Sequence, residues 1–186
     1  MAKARPIPGL RAEDAYGTAA ARILAVRSGE LADHSDGVLD MGDIERLHDM
    51  RVATRRLRAA LEVFEACFPR RLHRAALREV KELADALGQR RDRDVAIAAL
   101  EAFGAELSAP DRPGVMSLVE NLRVEQLEAN AALRPYVTAE RVAGLRERLR
   151  ELISRAEEAA GQPAGSAIEA AALARESSGN GSGTLP

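Results

Sequence analysis

Residues 44–64 read IERLHDMRVATRRLRAALEVF, and this stretch decides the fold class. Leu47, Met50, Leu57, Leu61 and Phe64 recur at three- and four-residue spacing, the period of one apolar helix face, and Phe68 continues the series. Taking His48 as zero on a wheel of about 100° per residue, Arg51, Arg55 and Arg58 fall within about 80° of it. The helix therefore carries a basic stripe that flanks its core-facing side.

Working outward, the same periodicity runs almost throughout, which predicts an all-α fold: an antiparallel bundle of about six helices and no strands. The first helix is expected from about Leu10 to Ala32, followed by the loop DHSDGVLDMGD, with Asp43 placed to cap the second helix near Ile44. Pro69 ends that helix and opens a third, for which Gly88 suits the position just past the end. The segment RRDRDV, residues 90–95, then opens a fourth helix reaching about Leu107. The PDRPG turn at 110–114 precedes a fifth helix terminated by Pro135, and a sixth spans about Thr138 to Ala160, where Thr138 lacks the acidic partner of a full capping box. The helical domain is thus expected over residues 10–160. Residues 161–186 are small and polar with too little apolar content to order themselves, apart from a frayed helix at 166–176.

Composition agrees with this class. The 186 residues are 46% hydrophobic but only 3% aromatic, without Trp, and rich in Ala, Leu, Arg and Glu, as in an Ala/Leu-packed helical protein. Cys67 is the single cysteine, so neither an internal disulfide nor a sulfur-ligated zinc site can form, which fits a reducing compartment. No run approaches the roughly 20 apolar residues of a membrane span. A cytoplasmic protein with no membrane partner is expected.

The net charge of -2 conceals an uneven distribution. Residues 46–93 hold 13 Lys+Arg against 7 Asp+Glu, while the rest of the chain holds 14 against 22, so a segment of +6 sits inside a remainder of -8. The third helix repeats the stripe of the second: Arg71, Arg74, Arg78 and Lys81 have the spacing of His48, Arg51, Arg55 and Arg58. Packed as an antiparallel pair, the two helices bring both stripes to one cationic surface. Guanidinium groups suit phosphate because they donate in a planar fork and stay charged at any working pH. A long polyanion relieves the like-charge crowding and releases its own counterions. The plainer alternative is a solvated face laced with i, i+4 pairs to Glu62, Glu65, Glu79, Glu82 and Asp85. Against it, the first turns of the second helix hold only Asp49, away from the Arg51, Arg55 and Arg58 arc.

The run HDMRVATRRLRAALEVF at 48–64, followed by LADALGQRRDRDV at 83–95, closely resembles the CHAD domain, the conserved histidine α-helical domain. The likeness rests on His48, Arg51, Val52, Arg55, Arg56, Leu57 and Arg58 in the first motif and on Leu87, Gly88, Arg91, Asp92, Asp94 and Val95 in the second. It implies an all-helical fold, recognition of inorganic polyphosphate by a basic surface on the second to fourth helices and, in some members, association with polyphosphate granules. It is clear over residues 12–107 and weaker to 160. A full CHAD domain has two related bundles, the second with its own His and Arg motif. Nothing after Leu107 supplies one, so the chain resembles the N-terminal half. Either this half binds a shorter stretch of polyanion, or two chains pair as a homodimer to rebuild a two-lobed surface, the arrangement favoured here. Arg93 also departs from the family, which tends to an apolar residue between the two aspartates.

The expected polyphosphate contacts are His48, Arg51, Arg55, Arg58, Arg74, Arg78, Lys81 and Arg91, with Arg56 and Arg71 secondary. His48 shares the stripe and can donate to a phosphate oxygen; its alternative is a bond within the bundle. Asp92 and Asp94 are read as structural, orienting Arg91 or the stripe arginines by pairing. His34 and His73 are read as surface residues, and Leu118, Leu122, Leu145, Leu149 and Leu152 as packing positions. No two histidines lie at i, i+3 or i+4, so no metal site is expected, nor any cofactor. A phosphate-ester or anhydride enzyme would need a Gly-rich phosphate loop, a carboxylate cluster or an activated nucleophile. None is visible, and no catalytic residue is assigned. A nucleic-acid binder is the rival reading for the same stripe, though aromatic residues for base stacking are not interleaved with it. A plain protein-interaction bundle is the third.

Overall fold

One helix sets the dimensions of the molecule. The structure, a computed structural model, describes residues 3–161, and in it Arg70–Glu106 form a single unbroken helix of 37 residues. At 1.5 Å per residue this helix is roughly 55 Å long, nearly twice its neighbours. The described residues contain five α-helices and no strand: α1 Tyr16–Asp33, α2 Ile44–Val63, α3 Arg70–Glu106, α4 Arg112–Leu133 and α5 Ala139–Ala160, with 3-10 turns at Glu65–Cys67 and Arg134–Tyr136. The all-α expectation holds. Two expected helices, however, are one: Gly88 does not end a helix but sits in the middle of α3.

The reason lies in the spacing of α3's buried residues. His73, Ala76, Val80, Leu83, Leu87, Arg90, Asp94, Ile97 and Gly104 follow one another at three- and four-residue steps along the helix. One continuous seam thus crosses Gly88, and burial along it outweighs the roughly 1 kcal/mol that a mid-helix glycine costs. No packing contact demands glycine there, since a Cβ at position 88 would meet nothing within 4 Å.

The N-terminal half of α3 closes a four-helix bundle with α1, α2 and α5. Its ends are marked by contacts between neighbours: the Tyr16 hydroxyl donates to the Val63 carbonyl at 2.8 Å, and His73 Nε2 lies 2.9 Å from the Leu61 carbonyl. Gly17 approaches Ala156 and Ala160 so closely that an added Cβ would lie 3.3 Å from each, fixing α1 antiparallel to α5. The core gathers Leu24, Leu31, Leu47, Met50, Leu57, Leu61, Val80, Leu83, Leu87, Leu145, Leu149 and Leu152. Phe64 packs against it at half-burial, and Tyr16 stacks on Phe64 at 4.9 Å between ring centroids.

Beyond the bundle, the C-terminal half of α3 pairs with α4 alone, forming a projecting hairpin. Its base is polar. Arg90 and Asp94 are buried to 1% and 0% side-chain exposure and form an ion pair, and Gln126 Nε2 donates to Asp94 Oδ1 at 2.6 Å. Asn130 Nδ2 donates to the Leu39 carbonyl at 3.1 Å, anchoring α4 to the loop between α1 and α2.

Several local expectations are corrected. The first helix begins at Tyr16 rather than Leu10, after an irregular segment. Asp43 occupies the N-cap of α2, but its carboxylate accepts from Arg46 Nε at 2.9 Å instead of from a backbone N–H. Thr138 does cap α5, accepting from the Arg141 N–H at 3.2 Å. Leu145, Leu149 and Leu152 are core, whereas Leu118 is 48% exposed and Leu122 only half-buried. The expected tail at 162–186 lies outside the described residues. Because Gly88 pays an entropic cost with no steric return, Gly88→Ala is expected to stabilise the protein by about 0.5–1 kcal/mol. Urea unfolding followed by circular dichroism measures this, as a higher midpoint at unchanged slope.

Candidate functional site

Continuity of α3 brings the second half of its stripe alongside α2. Because the two helices run antiparallel, Arg58, Arg55 and Arg51 of α2 descend past Lys81, Asp85, Gly88 and Asp92 of α3. Between them is an open groove of about 490 Å³. Its α2 wall is Arg51, Arg55 and Arg58; its α3 wall is Ala84, Asp85, Gly88, Gln89 and Asp92. Glycine at 88 keeps the floor low opposite the arginines.

The cations differ in how they are engaged. Arg51 and Arg55 make no ion pair with a described carboxylate, although Asp85 and Asp92 share the groove. Arg58 Nε lies 3.0 Å from Glu62 Oε1, and Lys81 Nζ lies 3.4 Å from the same oxygen. The hydrogen bond from Arg58, with the charge of Lys81 added, holds the Glu62 carboxyl below its usual range. Glu62 thus sits where α2 ends, bridging the two stripes as an anion would.

Past Lys81 the α3 stripe continues alone. Arg70, Arg71, Arg74 and Arg78 line a second open recess of about 590 Å³. Arg78 is engaged only loosely, 3.9 Å from Glu82 with its side chain 74% exposed. From Arg51 at one end to Arg71 at the other, the cations extend along roughly 25 Å of the bundle, counting 1.5 Å per residue of α3.

Other expected residues lie elsewhere. His48 is half-buried, one turn beyond Arg51 on the same stripe, and does not line the groove. Arg91 is half-buried and points about 100° around α3 from Asp92, to the side of the groove. Arg56 lies near α1, where its charge acts on Glu30. Burial pushes that carboxyl up, but the backbone N–H of Arg5, with Arg27 and then Arg56, more than offsets it and the pKa is lowered.

The two aspartates of the second motif separate. Asp94 is structural, but its partner is Arg90, not Arg91, while Asp92 is exposed in the groove. Burial, with the adjacent Arg91 charge, lowers the pKa of Arg90. Nor is His73 a surface residue: it is 1% exposed and stacks on Phe68. His34 is half-buried at the end of α1.

With this geometry in view, comparison with known families becomes informative: the sequence model of the CHAD domain matches residues 22–178. The chain belongs to the CHAD family. No curated protein matches it. The basic helix α2, the groove and the whole hairpin fall inside the matched region of this CHAD domain. No described helix is long and apolar enough to cross a membrane, and no group of three or more described His, Cys, Asp or Glu side chains is placed to hold a metal.

Sequence reasoning missed Asp85 and Asp92 as groove residues. The signal was present: Arg71, Arg74, Arg78, Lys81, Asp85, Gly88 and Asp92 form one unbroken three- and four-residue series. Two carboxylates beside an anion path oppose its occupation. The double variant Asp85→Asn/Asp92→Asn is therefore expected to bind long-chain polyphosphate several-fold more tightly at low salt, read by fluorescence anisotropy, with the difference shrinking as salt rises.

Proposed function

We propose that this CHAD domain binds inorganic polyphosphate, without catalysis, along the α2–α3 seam. The observation that carries the reading is the line of cations from Arg51 through Arg55, Arg58 and Lys81 to Arg78, Arg74 and Arg71, with Arg51 and Arg55 unpaired beside an open groove. The seam is elongated, open and rigid, which suits a linear ligand that offers a charge at every repeat. A compact substrate held for reaction would call for an enclosed pocket instead. Its arginines stand on two helices already fixed by the core, so little side-chain freedom is lost per contact. Arg58 and Lys81 can exchange Glu62 for phosphate oxygens without moving far. Membership of the CHAD family supports the same ligand. Association with polyphosphate granules in the cytoplasm follows from that ligand.

A nucleic acid is the rival ligand, since its backbone presents the same phosphates. The seam places no aromatic side chain among its arginines for a base to stack on, and it is walled by Asp85 and Asp92. Those features favour a chain of bare phosphates over one that carries bases.

The test is a salt series comparing long-chain polyphosphate with single- and double-stranded DNA, for the natural protein and for Arg51→Ala/Arg55→Ala. Polyphosphate binding is expected to outlast DNA binding as salt rises. Losing two charge-assisted contacts is expected to weaken it by about a hundredfold while thermal unfolding stays unchanged. Equal affinity for all three polyanions, or an indifferent double variant, contradicts the proposal.

A further inference from the structure

The α3–α4 hairpin leaves an apolar flank without a partner. Of the ten exposed large apolar side chains among the described residues, six lie on it: Val95, Phe103, Met116, Leu118, Val124 and Leu127. α4 touches α3 and the turn that follows it, and packs on no other helix of the bundle. Two helices joined only to each other bury too little to explain so much exposed apolar surface.

At about 100° per residue, Met116, Glu120, Val124, Leu127 and Ala131 fall within an arc of about 80° on one side of α4. Arg123 borders that arc, bonding Glu120 Oε1 and Glu101 Oε1 of α3 at 2.7 Å each. This bond shows which flank of α3 adjoins the arc; Val95 and Ala102 continue it. The surface is about 33 Å long and two helices wide, the scale of the roughly 800 Å² per partner that a stable interface covers.

The chain's own C-terminal segment does not fit this flank. α5 ends beside Gly17, at the opposite end of the bundle. That end is level with His73, about 21 residues or roughly 32 Å along α3 from the hairpin base at Asp94. At no more than about 3.6 Å per residue, Ile168 falls short of the base, and Leu173 reaches it only with every link fully extended.

We propose that the flank is covered by a second copy of this chain, α4 lying antiparallel against α4 across a two-fold axis beside residues 121 and 122. In that register Met116 of one copy meets Leu127 of the other, and Glu120 meets Arg123. Apolar groups face apolar groups and each carboxylate faces a guanidinium, as a two-fold interface requires of a single surface. The two hairpins then form a four-helix assembly that joins the bundles at their polar bases.

The inference is independent of the ligand, and sedimentation of the full chain without polyanion tests it. A species of twice the 20.0 kDa chain mass is expected at micromolar concentration. Leu127→Glu is expected to weaken association at least a hundredfold, and Leu118→Glu, on the far edge of α4, to leave it intact. Glu120→Arg and Arg123→Glu should each weaken it and, combined, restore it. If Leu127→Glu loses helicity, this charge-reversal set decides. A monomer at every concentration, a dimer broken by Leu118→Glu but not Leu127→Glu, or no recovery in the combined variant overturns the proposal.

Discussion

The structure depends on α3 remaining helical through Gly88. A helix of 37 residues is too long for the bundle that its first half completes, so its second half must find another partner. It does so in α4. Because the helix is continuous, its buried seam and its polar stripe keep their angular relation across both halves. The stripe can then run beside α2 as a wall of the groove while the seam passes from the bundle core to the hairpin. A break at Gly88 would set the two halves at an arbitrary angle and dissolve the groove.

Chemistry along the seam changes where the helix leaves the bundle. Val80, Leu83 and Leu87 face the bundle core, and the next two positions of the same series are Arg90 and Asp94. Buried as a pair and joined by Gln126, they satisfy part of each other's hydrogen-bonding capacity where the packing partner switches. Removing either partner would leave a buried charge uncompensated, which costs far more than the pair contributes. Such a pair specifies how α4 docks more than how firmly it holds, because an apolar contact could slide where a carboxylate with two donors cannot.

Much of this was legible in the sequence. The apolar period placed α2 and α5, the proline-bearing segments at 69, 110–114 and 135 marked real interruptions, and the arginine spacing on α2 put Arg51, Arg55 and Arg58 together in the groove. Gly88 misled because a glycine after Leu87 has the form of a helix terminus, and its helical state is decided by packing on both sides of it. His73 was illegible for a related reason: its burial depends on Phe68 and the Leu61 carbonyl, one from the turn before α3 and the other from α2. Arg90 stands beside Arg91 and Arg93 in a run of similar charges. Only its place in the seam distinguishes it, and that seam is visible once α3 is read without interruption.

The α2–α3 seam as the place where a polyanion binds is most directly tested by the side-chain Nε–Hε resonances of arginine-labelled protein during titration with long-chain polyphosphate. Resonances of Arg51, Arg55, Arg58, Arg74 and Arg78 are predicted to shift together and saturate with one affinity, while those of Arg112, Arg150 and Arg155 stay in place. Shifts spread evenly over all exposed arginines, or concentrated on α4 and α5, would contradict the account.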